Sequence, residues 1–455
     1  MTSSLSKSET SAQNSTKSRS NESLAPFNCP QPVLPMHKEV YLSSPATYAE
    51  TGLQIDSFLR NKSERASLLT TVKTSFGSAV VATRVPEADA ETWAAGLEHL
   101  ANDHRYYELT HDALGHQIEH YYLLLKDHAG KTRAIQPFLM VNQDLVTGIP
   151  KPVRRLIDRI RRNFPSTLVM RMLMVGCSAG EGHLVRDRST GSVEWVAQAL
   201  SEALQPVARR LEAAMIVLKD FPKTYRKSLR PMRRSGYARV PSMPGSRLDL
   251  NFKSFDEYLQ TKLSHKTRKN LRSKYRKAAA GTPVKMEVVS DIEPYIDELF
   301  PLYQQVLERS QYKFEELTKS YFVEISRRMG KRALFFIWRQ NGKAVAFSSC
   351  ARHDGVLRDH YIGLDYKVAL DHHLYFVTFR DIVTWAIENN CHSYYSAPLN
   401  YEPKYHLRHD LVPLDLYVRT SWDWINPLFR FVVPYLEPTR YDSMIRKFAN
   451  AHELW

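Results

Sequence analysis

Apolar residues fall into two periods along this chain. Short alternating or continuous runs predict strands at Tyr121–Lys126, Ala134–Val141, Leu168–Val175 and Ala214–Lys219, the first two around the turn Asp127-His128-Ala129-Gly130. Apolar positions three and four apart predict helices over Glu91–Asn102 and Val193–Leu211, and Ala238–Leu250 reads as extended. Past residue 250 a similar order recurs. Phe255–Ala280 predicts a helix, Val284–Val289 a strand, and Ile292–Ser310 and Lys319–Met329 two more helices. Leu334–Arg339 and Ala344–Ala351 predict a hairpin across Gln340-Asn341-Gly342-Lys343, because Asn-Gly tolerates the positive φ that a tight hairpin turn requires. Leu357–Leu364, Ser393–Ala397 and Leu414–Arg419 read as strands, and Leu370–Asn389 as a helix.

No identity repeats at a fixed period, but the order of elements does. The expected fold is therefore α/β (α+β), with two units of similar build joined near residue 250. The Ser-, Asn-, Thr- and Lys-rich stretch 1–36 reads as a disordered tail. The first unit then spans 37–250, the second 251–420, and 421–455 forms a helical extension.

Composition narrows the class. The 455 residues are 43% apolar and 24% charged, which suits two or three soluble domains and excludes collagenous, coiled-coil and wholly disordered chains. Four cysteines without a CxxC pair argue against a disulfide scaffold or zinc ribbon and suit a reducing cytosol. The start lacks the apolar segment of a secretory signal. The runs Ala333–Trp338 and Leu428–Leu436 are too short or interrupted for a spanning helix, which needs roughly 18 residues. The expected location is the cytoplasm, with contact at the inner face of a membrane as the furthest excursion.

Charge changes the picture by its distribution. Lys and Arg number 63 against 48 Asp and Glu, a formal +15. Three segments, 151–162, 219–239 and 262–277, together carry +20, and the remainder is slightly acidic. Such segments suit an anionic substrate, an anionic membrane surface or tRNA. Lys151–Arg162 puts Val153, Leu156, Ile157 and Ile160 on one helical face, and Trp422–Val433 is rich in interfacial aromatics. No zinc finger, helix-turn-helix or ribonucleoprotein motif accompanies them, so sequence-specific DNA binding is not expected.

Four features of residues 255–419 resemble the FemAB-like branch of the GNAT acyltransferase superfamily. These are the basic helix Ser264–Arg272, the hairpin Ala333–Cys350, the strand His360–Asp365 running toward a helix at Leu370, and Ser393–Pro398 followed by Lys404 and a last strand at Leu414. The resemblance implies two tandem GNAT-like domains, each a mixed, largely antiparallel sheet flanked by helices. It also implies transfer of an acyl or aminoacyl group from a thioester or a charged tRNA to an amine. Splayed central strands would present backbone N–H groups to the reacting carbonyl, and a side-chain base would take the amine proton.

On that basis Lys404, Tyr395, Asp365 and Tyr361 are the expected catalytic residues. Lys266, Arg268, Lys269, Arg272 and Arg276 would meet the anionic part of a substrate. The family's pyrophosphate loop has no glycine counterpart at Asp365–Leu370, whereas Cys177-Ser178-Ala179-Gly180-Glu181-Gly182 places Gly180 and Gly182 at suitable spacing after a strand. The co-substrate would be acyl-CoA or acyl carrier protein, with no resident cofactor. The acceptor would be an amine on a lipid or cell-envelope precursor. The other readings are tRNA-dependent aminoacyl transfer to a peptidoglycan-type acceptor, and a non-catalytic RNA- or membrane-binding module. Gly176-Cys177-Ser178-Ala179-Gly180 also fits the hydrolase elbow, which demands a helix starting at Ser178. The pairs His116/His120 and His406/His409 have helical spacing but no further ligands nearby, so no metal is expected.

Overall fold

The computed structural model describes residues 67–144, 159, 161, 162, 169–187, 192–310 and 316–455. The expected tail 1–36 and most of the basic stretch 151–162 lie outside the described residues. The chain begins with β1 (Leu68–Thr74), β2 (Gly77–Ala82), α1 (Ala90–Leu97) and α2 (His104–Leu114). Next come β3 (Glu119–Lys126), β4 (Thr132–Asp144), β5 (Val169–Val175), α3 (Val193–Arg210), β6 (Met215–Pro222), α4 (Arg230–Arg234) and β7 (Ala238–Pro241). β8 (Gly245–Asp249), α5 (Phe255–Lys262) and α6 (His265–Ala280) follow, and the pattern then repeats from β9 (Val284–Val289) with α7 (Ile296–Arg309) and α8 (Lys319–Met329). The predicted hairpin forms β10 (Ala333–Gln340) and β11 (Lys343–His353), followed by β12 (Val356–Leu364), α9 (Tyr366–Ala369), α10 (Leu374–Glu388) and β13 (Ser393–Ser396). Last are α11 (Tyr401–His406), β14 (Asp410–Val412), β15 (Leu414–Thr420) and α12 (Asn426–Leu436).

Some expectations need correction. Phe255–Ala280 is two helices rather than one, because the Ser264 hydroxyl accepts from the Thr267 N–H and restarts the helix as an N-cap. His116 and His120 do not share a helical face: α2 ends at Leu114 and His120 lies on β3. His409 likewise follows the end of α11. The strands β1 and β2 and the helix α2 had no counterpart in the sequence reading.

The strands form two mixed, largely antiparallel sheets flanked by helices, as expected. Their orders are β1-β2-β3-β4-β5-β6-β15-β7 and β14-β8-β13-β12-β11-β10-β9. Each holds one parallel pair. β5 and β6 align from Met172 with Met215 to Val175 with Leu218, and β12 and β13 from Val356 with Ser393 to Asp359 with Ser396. Beside each parallel pair lies a strand from elsewhere in the chain. β15 inserts between β6 and β7, while β8 joins the second sheet between β13 and β14. Sequence position and sheet membership thus cross over on both sides of residue 250.

Helices cover both sheets. α3 packs Leu200, Leu204 and Val207 onto Val81, Leu123 and Leu173 of the first sheet. On the second sheet, Trp385 of α10 stands edge-on to Phe336 at 5.2 Å, and Trp338 Nε1 donates to Asp381 at 2.9 Å. One apolar cluster joins the two halves, with Trp93, Tyr107 and Tyr122 from the first and Phe322, Phe335 and Phe347 from the second. Each such fully buried side chain contributes roughly 1.5–3 kcal/mol, so the halves share stability as well as strands.

The exchanged β15 also carries a charge inward. Asp415 is 0% exposed and accepts from Arg226 Nε and Arg239 Nη1, both at 2.7 Å. Arg226 goes on to donate to the carbonyls of Glu453 and Leu454, tying down the C-terminal turns. A buried carboxylate of this kind is retained only while paired. Asp415→Ala is expected to lower the unfolding free energy by about 3–5 kcal/mol in a urea titration, because both arginines lose their counter-charge. A loss under about 1 kcal/mol would show that water replaces the carboxylate freely.

Candidate active site

The second sheet opens where its parallel pair ends. The Ala397 N–H still reaches the Asp359 carbonyl at 3.2 Å, but beyond that β12 runs on to Leu364 while the chain after Ser396 turns away. At the same point β12 carries an extra residue. Ser349 pairs with Tyr361 and Cys350 with Asp359, which leaves His360 as a bulge. The first sheet repeats the arrangement: β5 ends at Val175 opposite Leu218, and β6 continues to Pro222. Both openings border one cleft of about 1180 Å³.

Strand periodicity sets the polar lining. Arg358 and His360 lie two apart on β12 and share a face, and both line the cleft. Tyr395 of β13 pairs with Arg358 and lies over Gly245 of β8, where any Cβ would overlap its hydroxyl. From the first half comes the loop after β5. It is held from behind by the Tyr106 hydroxyl, which donates to the Ala179 carbonyl at 2.7 Å and meets the Tyr321 hydroxyl at the same distance. Gly182 is needed here, because a side chain would strike the Lys219 carbonyl.

Glu181 is thereby delivered into the cleft, with its side chain 20% exposed. Burial pushes its carboxyl above the ordinary value, against the pull of Arg358 and of a hydrogen bond from Tyr395. The Tyr395 hydroxyl is driven up in turn, by burial first and by Glu181 second. His183 Nε2 lies 3.9 Å from Glu181, and burial brings that imidazole down to about 3. Burial and Arg358 bring His360 to about 4. Both rings are therefore neutral near pH 7. Lys219 pairs with Asp220 at 2.6 Å, and Asp220 also accepts from the Ser242 hydroxyl. A carboxylate destabilised as an anion, beside neutral imidazoles and a fixed guanidinium, is suited to taking a proton.

The residues singled out from sequence are dispersed. Tyr361 and Tyr395 line the cleft. Asp365 is the N-cap of the short α9, accepting from the Lys367 N–H at 3.0 Å, and is not among the lining residues. Lys404 stands behind the wall. It is 4% exposed and donates to the carbonyls of Ala397 and Leu399, the latter at 2.8 Å. Burial lowers its amine to about 7, opposed by Asp359. The loop it holds is strained, since Leu399 and Asn400 adopt φ of 74° and 51°. Gly180 borders the cleft, whereas Gly182 packs beneath it.

The cations of α6 lie elsewhere. Lys266, Lys269, Arg272 and Arg276 are exposed, Arg268 donates to the carbonyls of Gln260 and Leu263, and none of the five lines the cleft. Of the basic stretch 219–239, Arg226 and Arg239 are spent on Asp415, and Lys223 pairs with Glu453 at 2.7 Å. The hydrolase elbow is excluded: no helix starts at Ser178, α3 begins only at Val193, and the serine side chain is buried. Glu181, Arg358 and His360 were not assigned a role from sequence. The available signal was polar side chains on both faces of a central strand, Arg358 and His360 on one and Asp359 on the other. Among the described residues no group of three or more His, Cys, Asp and Glu is arranged to hold a metal ion, and no helix is long and apolar enough to cross a membrane.

Comparison with known proteins gives the following. No curated protein matches the chain. Among solved structures, L-PGS from Bacillus licheniformis aligns at 14% identity over 69% of this chain and 88% of its own, with a TM-score of 0.42. FemX aligns at 12% identity over 72% and 94%, with a TM-score of 0.44. A tandem GNAT protein from the clavulanic acid biosynthesis pathway aligns at 10% identity over 67% and 83%, with a TM-score of 0.35. Residues 265–403 match the family model described as an acetyltransferase (GNAT) domain. That stretch holds the hairpin, the bulged strand β12 and the opening beside it, and the chain accordingly carries a GNAT-type acetyltransferase domain.

Proposed function

We propose that the cleft is the site of an N-acyltransferase, moving an acyl group from a thioester donor to an amine acceptor. The observation that carries this reading is the half-buried Glu181 carboxyl, hydrogen-bonded by Tyr395, beside the opening of β12 from β13. The amine binds next to Glu181 and yields its proton as the nitrogen attacks the thioester carbonyl. Negative charge on the carbonyl oxygen is met by backbone N–H groups along the free edge of β12 near the His360 bulge and by the Arg358 guanidinium. The acyl–sulfur bond breaks, the amide remains, and the thiolate departs. Tyr395 orients the Glu181 carboxylate, and Lys404 is a positioning residue that holds the wall from Ala397 to Leu399.

The donor is acyl-CoA or an acyl carrier protein. Asp365 already occupies the helix start at which relatives bind pyrophosphate, so the donor's anionic groups would meet side chains such as Lys219 and Arg358 instead. The acceptor amine belongs to a lipid or cell-envelope precursor, met at the cytoplasmic side. The exposed cations of α6 favour one further reading, in which a tRNA docks outside the cleft and supplies an aminoacyl group.

Glu181→Gln removes the base while keeping the shape. In a thiol-release assay with a panel of thioesters and amines, kcat/KM should fall by about 10²–10⁴, and the acidic limb of its pH profile should disappear. Unchanged turnover would remove Glu181 from the chemistry. The same substitution bears on stability. Burial raises this carboxyl above its ordinary 4.5, so its contribution is fully present below that pH and is lost as pH rises through the folded value. Glu181→Gln should therefore melt higher than the parent at neutral pH, with the gain fading in acid.

Lys404→Met keeps the apolar stem and leaves two carbonyls without their donor. It should cost about 1–3 kcal/mol of stability and raise the acceptor's KM more than it lowers kcat. A collapse of kcat at unchanged stability would place Lys404 in the chemistry itself.

A further inference from the structure

The cleft has two unlike ends. Its polar end holds Glu181, Lys219, Arg358 and Tyr395. The opposite wall comes from the first sheet, where Met172 and Met174 of β5, Met215 and Val217 of β6, and Leu416 and Val418 of β15 all line the space. These are alternate residues, so they share one face of the sheet. The other face of the same strands, with Leu173, Val175, Ile216 and Leu218, is packed into the core shared with α3. Phe429 and Val433 of α12 cover part of the cleft-side cluster, and Leu436 both lines the cleft and is 66% exposed. An apolar surface therefore runs from the polar end along three strands to the outside.

A sheet face is ordinarily covered by a helix or a second sheet. Here it borders a volume of about 1180 Å³, above the roughly 300–1,000 Å³ of ordinary small-molecule pockets. Three of the six wall residues are methionines, whose unbranched thioethers adapt to a flexible occupant better than branched side chains do. Met172, Met174, Met215, Val217 and Val418 are each 4–7% exposed, so the wall offers an occupant of the cleft an apolar surface that little bulk water reaches.

We propose that the wall seats a single long aliphatic chain, whose polar, reacting end lies at Glu181. The chain belongs either to the acyl donor or to a lipid acceptor; both present the same methylenes to the wall. The assignment of the reacting end rests on the acyltransferase reading. The seat for the chain rests only on the wall.

Binding is tested without turnover. The purified full chain is titrated with saturated fatty acids of roughly eight to sixteen carbons, each displacing a fluorescent polyene fatty acid, and affinity should rise about fourfold per methylene, the equivalent of ~0.8 kcal/mol per buried CH₂. Val217→Trp fills the wall and should stop that rise at a shorter chain, with circular dichroism checking the fold. Leu436→Asp, at an exposed position, should weaken the longest chains most and leaves the core untouched. Affinity independent of chain length, or an identical series in the parent and both variants, overturns the proposal.

Turnover then separates the two sources. A rate that grows with chain length in the thioester, given a short amine, assigns the chain to the donor. Growth with chain length in the amine, given a short thioester, assigns it to the acceptor. Length-dependent binding without any acyl transfer would sustain the aliphatic seat and overturn the acyltransferase reading. Transfer of short groups with flat binding would do the reverse.

Discussion

Each sheet in this protein is completed by a strand that the order of elements assigns to the other. A parallel pair such as β5 and β6 needs an antiparallel neighbour on its outer side to satisfy its backbone groups. β15 supplies it from more than 190 residues further along the chain, aligned from Leu414 with Pro222 to Thr420 with Met215. β8 does the same for β13 in the second sheet. Because the exchange is mutual, neither sheet can close without the other half in place. The two openings are held against one another as a result, and the cleft between them has walls from both. The buried Asp415, bound by Arg226 and Arg239, fixes the exchanged strand at the point where slippage by one residue would put its carboxylate on the wrong face.

Three carboxylates, Asp415 buried and Asp359 and Glu181 half-buried, show how this frame sorts charge. Asp415 has two guanidiniums and no route to solvent, and its role is to hold a strand. Asp359 faces away from the cleft, where the hydroxyls of Ser348 and Tyr394 donate to it, and burial still raises its carboxyl. Glu181 alone among the three borders the cleft. Tyr395 hydrogen-bonds it there and Arg358 favours its anion, yet burial still raises its carboxyl. The three differ in position: one ties a strand, one lies behind the wall, and one faces the cleft.

Much of this was legible in the chain. Local signals carry local elements. Asn341 and Gly342 adopt φ of 51° and 80° in the hairpin they predict, and Lys319–Met329 is a helix with the predicted limits, capped by Thr318. The repeat of element order announced two similar sheets. The exchange of β8 and β15 was not legible, since strand choice is decided by contacts roughly 150 to 200 residues apart. Lys404 illustrates a different limit. A lysine in a polar loop reads as a charge offered to a substrate, yet here it is drawn inward by two carbonyls of a loop that two successive left-handed residues would otherwise leave strained. The cations of α6 misdirect for the opposite reason: their density is conspicuous, but the helix packs Leu271 inward and turns most of them away from the cleft.

The resemblance between the two sheets does not make them equivalent. Both end a parallel pair early and both border the cleft, but they contribute unlike surfaces to it. β12 presents Arg358 and His360, with a bulge that redirects its backbone at the opening. On β5 and β6 the corresponding face presents Met172, Met174, Met215 and Val217 before it reaches Lys219, and Glu181 comes from the loop that follows β5. Glu181 belongs to the first half by sequence, yet Tyr395, which hydrogen-bonds it, and Arg358, which opposes the rise of its carboxyl, belong to the second. The cleft is therefore lined by unlike surfaces from the two halves, and the exchanged strands tie those halves together.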